Sequence, residues 1–427
     1  MTQPSSAHPR PNAADGLSLA PFRALRFTGD IGRRLCPPYD VISDVDREDL
    51  LAADARNAVR LVLPGSSKAE RDGAADNPIY PATASLLSDW IADGTLSEVG
   101  EPALFVYEMS DDTGTTRGLI GALELRSPED GVILPHENTM AGPVADRLAL
   151  MQATEANLEA IYLVYDGGGA ASEAVATVSA DEPVFIAQTP DGLTHRLWSI
   201  TDPVTLSTIA QDLAGRRALI ADGHHRYATY LQLQAEHAGE PGPWDRGLTL
   251  LVDTTAYGPQ VHPIHRVVDL PFERSVELSR QVLSVNAVPS LAEALALIDE
   301  IDGFAAVLSD GRRFEVIHSF DPEALAAGLG DVAGTALGSL DVTVLHRCLV
   351  EGAWGLNDNT ETVDYAHDIP DALEAADGGT RTAVLLRPTP VTAVAEVAAA
   401  GGRMPRKSTL FTPKPASGVL LRRFADQ

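Results

Sequence analysis

Asp222, Gly223, His224, His225 and Arg226 stand together in the run ALIADGHHRYATYL, residues 218–231. A carboxylate, two imidazoles and a guanidinium within five residues can bind an anion, move a proton or help hold a metal. Residues 218–221 are small or apolar and predict a buried strand. Asp222-Gly223 predicts a tight turn, and the apolar spacing after it predicts a helix to about residue 237. The chemistry therefore falls where a strand hands over to a helix. Orphan N–H groups and the positive dipole end of a helix N-terminus favour an anion there. The Arg226 fork matches phosphate geometry. The plain alternative is a capped turn with one satisfied histidine.

Three further clusters could add chemistry. His136-Glu137 precedes an expected helix over 143–156, and Glu137 in such a loop suits a general base for a hydroxyl nucleophile. Asp146 and Arg147 follow one turn into that helix and could line the same cleft. His262-Pro263-Ile264-His265-Arg266 ends a strand, and its imidazoles with His136, His224 and His225 could be zinc ligands. Their spacing fits no standard zinc signature, so His265 and Arg266 read better as partners of phosphate or carboxylate oxygens. Residues 404–414, MPRKSTLFTPK, bring Arg406, Lys407, Ser408, Thr409 and Lys414 together. They lack the glycines of a phosphate-binding Walker loop, yet they form a cation cluster in an acidic chain. GGGAA at 167–171 departs from the dinucleotide fingerprint and reads as a linker.

Composition bounds the function. The chain has 427 residues and a net charge of −28. That field repels nucleic acid and anionic membranes, which counts against both as partners, and an anionic substrate needs a local set of cations. Two cysteines, Cys36 and Cys348, make no disulfide framework and suit a reducing cytoplasm. No run has the length of a membrane span. Residues 1–16 lack the apolar core of a signal peptide and predict a disordered tail.

The elements that must position these groups alternate irregularly. Short strands are expected in 19–27 and 57–64, a helix after the N-cap Ser43, a helix over 83–96, and a hairpin across the DDTGTT turn. Strands are also expected at 160–166, 247–255 and 260–268. Several hairpins among the helices predict α+β with a mixed sheet. The expected organisation is a catalytic core over 17–270, an inserted small α+β subdomain over 271–335, and a C-terminal segment over 336–427 that returns the basic KST loop to the core.

APFRALRF, CPPYDVIS, NAVRLVLP, PHENTMAGPVADRLALMQATEANLEAIYLVYD, IADGHHRYATYL, IHRVV, LDVTVLH and MPRKSTLFTPK together resemble a widespread bacterial and archaeal family catalogued as a domain of unknown function. DGHHRY also resembles the Gly-x-His-Arg box of the ParB/sulfiredoxin-like superfamily. That resemblance implies a ParB/sulfiredoxin-like element in the core and a box that binds nucleotide phosphates. Sulfiredoxin carries its catalytic Cys where this chain has His224, which argues against sulfinic acid repair. Free-serine kinases of that superfamily place a Pro-His-Glu segment upstream of the box, its Glu serving as base. Here Glu137 precedes Asp222 by 85 residues, so the resemblance also implies an insertion. Pyrophosphate-dependent serine kinases are similar to the larger family, which leaves pyrophosphate, ADP and ATP open as donors.

The expected function is a cytoplasmic kinase making O-phospho-L-serine from free L-serine. Glu137 would be the base and Asp222 would orient the hydroxyl or metal. His224, His225 and Arg226 would hold the donor phosphate, with Mg²⁺ as the expected cofactor. His136, Arg147, His265, Arg266, Arg406, Lys407, Ser408, Thr409 and Lys414 would complete the phosphate and substrate contacts. A nucleotide switch without turnover and a phosphoester metallohydrolase are the alternatives. Oligomeric state is open.

Overall fold

The computed structural model describes residues 16–425 apart from 66, 68, 69, 72, 75 and 360. The tail expected over 1–16 therefore lies, Gly16 excepted, outside the described residues. The chain divides into two compact units. One comprises Met1–Leu134, Thr139–Pro259 and Pro413–Gln427; the other comprises Pro135–Asn138 and Gln260–Thr412.

Among the described residues the first unit's main sheet has nine strands. From one edge they run Ile133–Leu134, Ala218–Asp222, Ile161–Tyr165, Arg246–Asp253, Thr115–Glu124, Leu104–Ser110, Thr194–Ile200 and Phe185–Gln188. Leu19–Ala20 adds to Thr115–Glu124. Ile161–Tyr165 pairs parallel with Arg246–Asp253 and antiparallel with Ala218–Asp222, so the sheet is mixed, as expected. Ala218–Asp222 and Ile161–Tyr165 are buried at every position. That explains their continuous apolar runs, since neither strand has a solvent face to alternate toward. One face carries Ile161, Leu163, Ile220 and Leu251 into a core with Tyr227, Tyr230 and Leu233 of helix His224–Glu236.

Local signals explain the flanking elements. Ser43 caps helix Asp44–Ala53 by accepting from Asp46 N, and the Asp46 side chain accepts from Ser43 N in return, a reciprocal capping box. Residues 57–64 are not the expected strand; Val59–Val62 form a short helix. Asn57 decides it. Its buried amide donates to Arg33 O and Leu35 O while its Oδ1 accepts from Val59 N, which fixes a helical entry that β-propensity cannot override.

Among the described residues the second unit has a six-stranded sheet in the order Ser284–Val288, Phe314–His318, Ala305–Ser309, Thr382–Leu385, His265–Val268 and Val363–Ala366, with every pair antiparallel. Helices Leu291–Glu300 and Ile369–Ala376 cover it with Ala294, Ile298, Ala372 and Ala376. This unit is wider than the 271–335 subdomain expected. Thr382–Leu385 lies between Ala305–Ser309 and His265–Val268, so residues 271–335 alone would leave a strand edge open in mid-sheet. The segment expected over 336–427 is divided, with only Pro413–Gln427 joining the first unit.

Candidate active site

In the first unit, strand Ala218–Asp222 ends inside the protein, and the Asp222 residue is 7% exposed. Gly223 turns the chain at φ 95°, where L side chains are strained. A Cβ there would also stand 3.1 Å from Ile161 Cγ2 and 3.2 Å from Arg226 Cζ. Glycine is thus required twice over. Helix His224–Glu236 begins at once, and no side chain caps it. Arg226 folds back from the first turn: Nη2 donates to Asp222 Oδ2 at 2.5 Å and Nη1 donates to Ala160 O at 2.5 Å. Lys414 Nζ donates to the other Asp222 oxygen.

Burial opposes the charge on Arg226, but the carboxylates of Glu159, Asp222 and Asp40 hold its pKa above the usual value. Lys414 is likewise raised: burial opposes it, and Asp222 and Asp40 outweigh burial. Arg226 was expected to grip a phosphate. Instead its residue is 4% exposed and its fork is turned onto Asp222 and Ala160, because the three nearby carboxylates in low dielectric outcompete solvent. His225 is partly exposed, and its Nε2 accepts from Met140 N at 3.1 Å, at the entry to helix Ala141–Thr154. His224 is buried at the helix start.

Arg147 is also spent internally. Nε and Nη2 donate to Asp146 Oδ2 at 3.1 and 2.7 Å, and Nη1 donates to Val62 O. Its guanidinium lies 4.1 Å from the centre of the Tyr39 ring. Asp146 Oδ1 accepts from Tyr80 Oη at 2.8 Å. Arg147 therefore holds the interior together, its guanidinium turned onto Asp146, Val62 O and Tyr39 and not outward as the expected phosphate role needs.

The second unit gathers the other expected residues. His136 is buried; its Nε2 lies 3.0 Å from Thr409 Oγ1, and its carbonyl accepts from Met404 N at 2.8 Å. Ser408 Oγ donates to Pro405 O at 2.6 Å, and Lys407 takes φ 53°, unusual for a residue with a side chain. That tight turn leaves Arg406 and Lys407 exposed. Arg266 is fully buried. Nε donates to His346 Nε2 at 3.0 Å, Nη1 to Ile264 O at 2.5 Å and Nη2 to Arg406 O at 3.2 Å. Burial pulls its pKa down to about 10. His265 Nδ1 accepts from Leu386 N at 3.2 Å, and burial, then Arg266, push its pKa down to about 4. Arg266 and His265 are thus turned onto internal partners and not outward as the oxygen-binding groups expected, because the one strand that carries both, His265–Val268, is buried throughout and paired on both edges. Glu137 is partly exposed, and its charge acts on Arg266 and on Tyr365.

Glu159, Tyr39, Asp40 and His346 were missed. Tyr39 and Asp40 sit in CPPYD, and that Pro-Pro turn was the available signal. Glu159 lies in a bend between strands Ala156–Asn157 and Ile161–Tyr165, where no periodicity marks it. His346 lies on a π-helix, Leu345–Ala353, a rare form frequent at functional sites.

Among the described residues no three His, Cys, Asp or Glu side chains gather as a metal cage. Magnesium on donor phosphates needs only one or two carboxylates, but Asp222 does not fit that part, since a cation holds each of its oxygens. Among the described residues no helix is long and apolar enough to cross a membrane.

No curated protein matches the chain. Among solved structures, a free serine kinase in complex with AMP is 16% identical, with TM-score 0.35, covering 66% of this chain and 84% of that one. SbnI with a C-terminal truncation, from Staphylococcus aureus, is 8% identical, with TM-score 0.35, covering 70% and 85%. A conserved hypothetical protein from Pyrococcus furiosus is 15% identical, with TM-score 0.34, covering 68% and 90%. Such slight likeness says nothing of chemistry. The family described as "Protein of unknown function (DUF1015)" matches residues 19–343, about three quarters of the sequence, and the chain belongs to that family.

Proposed function

We propose that this protein is a small-molecule phosphotransferase whose acceptor is the hydroxyl of free L-serine and whose donor is pyrophosphate, ADP or ATP. The observation that carries the reading is the Asp222–Arg226–Lys414 cluster at the uncapped start of helix His224–Glu236. Lys414 and the positive end of the helix would supply charge to a transferring phosphoryl group. The DGHHR box, with its ParB/sulfiredoxin-like resemblance, supports the same reading.

In the proposed reaction the serine oxygen attacks the donor's terminal phosphorus. One O–P bond forms and the bridging P–O bond breaks. Glu137 takes the hydroxyl proton, and phosphate, AMP or ADP leaves. Lys414 and the helix start meet the donor phosphates. Arg226 acts through Asp222, keeping Lys414 in place. No step is routed through magnesium, and assays with and without it are part of the test.

Calorimetric titration with pyrophosphate and with ADP tests the donor site. Lys414→Ala should weaken binding tenfold or more, since a charged hydrogen bond contributes about 1.5–3 kcal/mol. Unchanged affinity in Lys414→Ala would remove this cluster as the donor site. A wild type that binds nucleotide and turns nothing over would favour the switch reading.

A further inference from the structure

Two irregular segments meet beside Asp222. One is the Pro-Pro turn that begins at Cys36, and the other carries Lys414 and Ser417. They are joined by one isolated bridge: Cys36 N donates to Ser417 O at 3.2 Å and Ser417 N donates to Cys36 O at 2.7 Å. Glu159, 5% exposed, reaches both segments. Its Oε1 accepts from Tyr39 N at 3.1 Å and from Ser417 Oγ at 2.8 Å. Its Oε2 faces Arg147 Nη1 at 3.8 Å, and that same guanidinium covers the Tyr39 ring. A carboxylate this buried persists only when it is paired and hydrogen-bonded. Its partners here come from both loops.

We propose that Glu159 is a positioning residue, a buried carboxylate that fastens the 36–41 turn and the 413–418 segment to the sheet and so holds Lys414 on Asp222. Only its consequence for catalysis rests on the phosphotransferase reading. The fastening itself stands apart from it.

The chain carries its own reporters. Its two cysteines, Cys36 and Cys348, are both buried, and only Cys36 lies in the fastened turn. Thiol labelling of the native protein by an aromatic disulfide reagent reads the opening of each. Glu159→Gln should label Cys36 at least tenfold faster and leave Cys348 unchanged. Ser417→Ala should speed Cys36 several-fold. It keeps the carboxylate charge, so its effect reports opening and not a more acidic thiol, and it serves alone if Glu159→Gln does not fold. Saturating pyrophosphate should slow Cys36 labelling in wild type and lose most of that effect in Glu159→Gln. Glu159→Asp should restore part of it. An unchanged Cys36 rate, or equal acceleration of both cysteines, would overturn the proposal. A wild type that makes no phosphoserine, with Cys36 still answering to Glu159, would remove the kinase reading and keep the fastening.

Discussion

Asp222 is held from two sides, Arg226 on one oxygen and Lys414 on the other, and the two contacts differ in depth. The Arg226 pair is buried on both sides, with side chains 5% and 9% exposed. Removing one partner of a buried pair typically costs about 3–5 kcal/mol when the other charge is left uncompensated, and here Lys414 stays on the second Asp222 oxygen. Arg226→Ala should therefore lower stability in urea denaturation by less than that, beyond any effect on ligand affinity. A variant of full stability that binds pyrophosphate poorly would instead make Arg226 a ligand-facing residue. Gly223→Ala tests the turn beside it. The left-handed φ of 95° and the 3.1 Å approach to Ile161 act together, so a loss of about 1–3 kcal/mol is expected in the same measurement. Wild-type stability in Gly223→Ala would mean that the turn relaxes freely.

Two strands carry buried neutral histidines that make the fold sensitive to acid. His195, on Thr194–Ile200, lies 2.7 Å from Tyr107 Oη and 2.9 Å from Thr189 Oγ1, and burial pushes its pKa down to about 4. His265, on His265–Val268, is lowered to about 4 as well. Unfolded histidine titrates near 6.5, so between about 6.5 and about 4 the unfolded chain binds more protons. Stability should fall as pH drops through that window, by up to about 1.4 kcal/mol per pH unit for each histidine. Urea midpoints at pH 7 and pH 5 check this, and His195→Gln should flatten the slope; an unchanged slope would show that His195 is protonated in the fold. The same elements show what was legible in the sequence. Ser43 was readable as a cap, and DGHHR as a strand-to-helix turn, because their signals are local. Val59–Val62 was not, because Asn57 sets it through carbonyls more than twenty residues away. Arg226, Arg147 and Arg266 were legible as cations but not as buried ones, since side-chain direction depends also on partners far away in sequence, Ala160 O, Val62 O and His346. Glu159 was invisible for the same reason, with partners at residues 39, 147 and 417.

Across the whole molecule, the net charge of −28 repels itself. Raising salt from about 0.01 M to about 0.15 M shortens the Debye length from about 30 Å to about 8 Å. Thermal midpoints should rise across that range as the repulsion is screened, and a midpoint that falls would mean that ion pairs outweigh it. The division into units was only partly legible. The strands at 265–268 and 382–385 look alike in sequence to core strands, and only their pairing assigns them to the second sheet. The central claim is phosphoryl transfer to free serine, and it is tested most directly by incubating the purified protein with L-serine and each of pyrophosphate, ADP and ATP, then measuring O-phospho-L-serine by mass spectrometry. Turnover with at least one donor is expected, together with a fall in kcat of about a hundred- to ten-thousand-fold in Glu137→Gln at unchanged donor affinity. No O-phospho-L-serine from the wild type with any of the three donors would contradict the account.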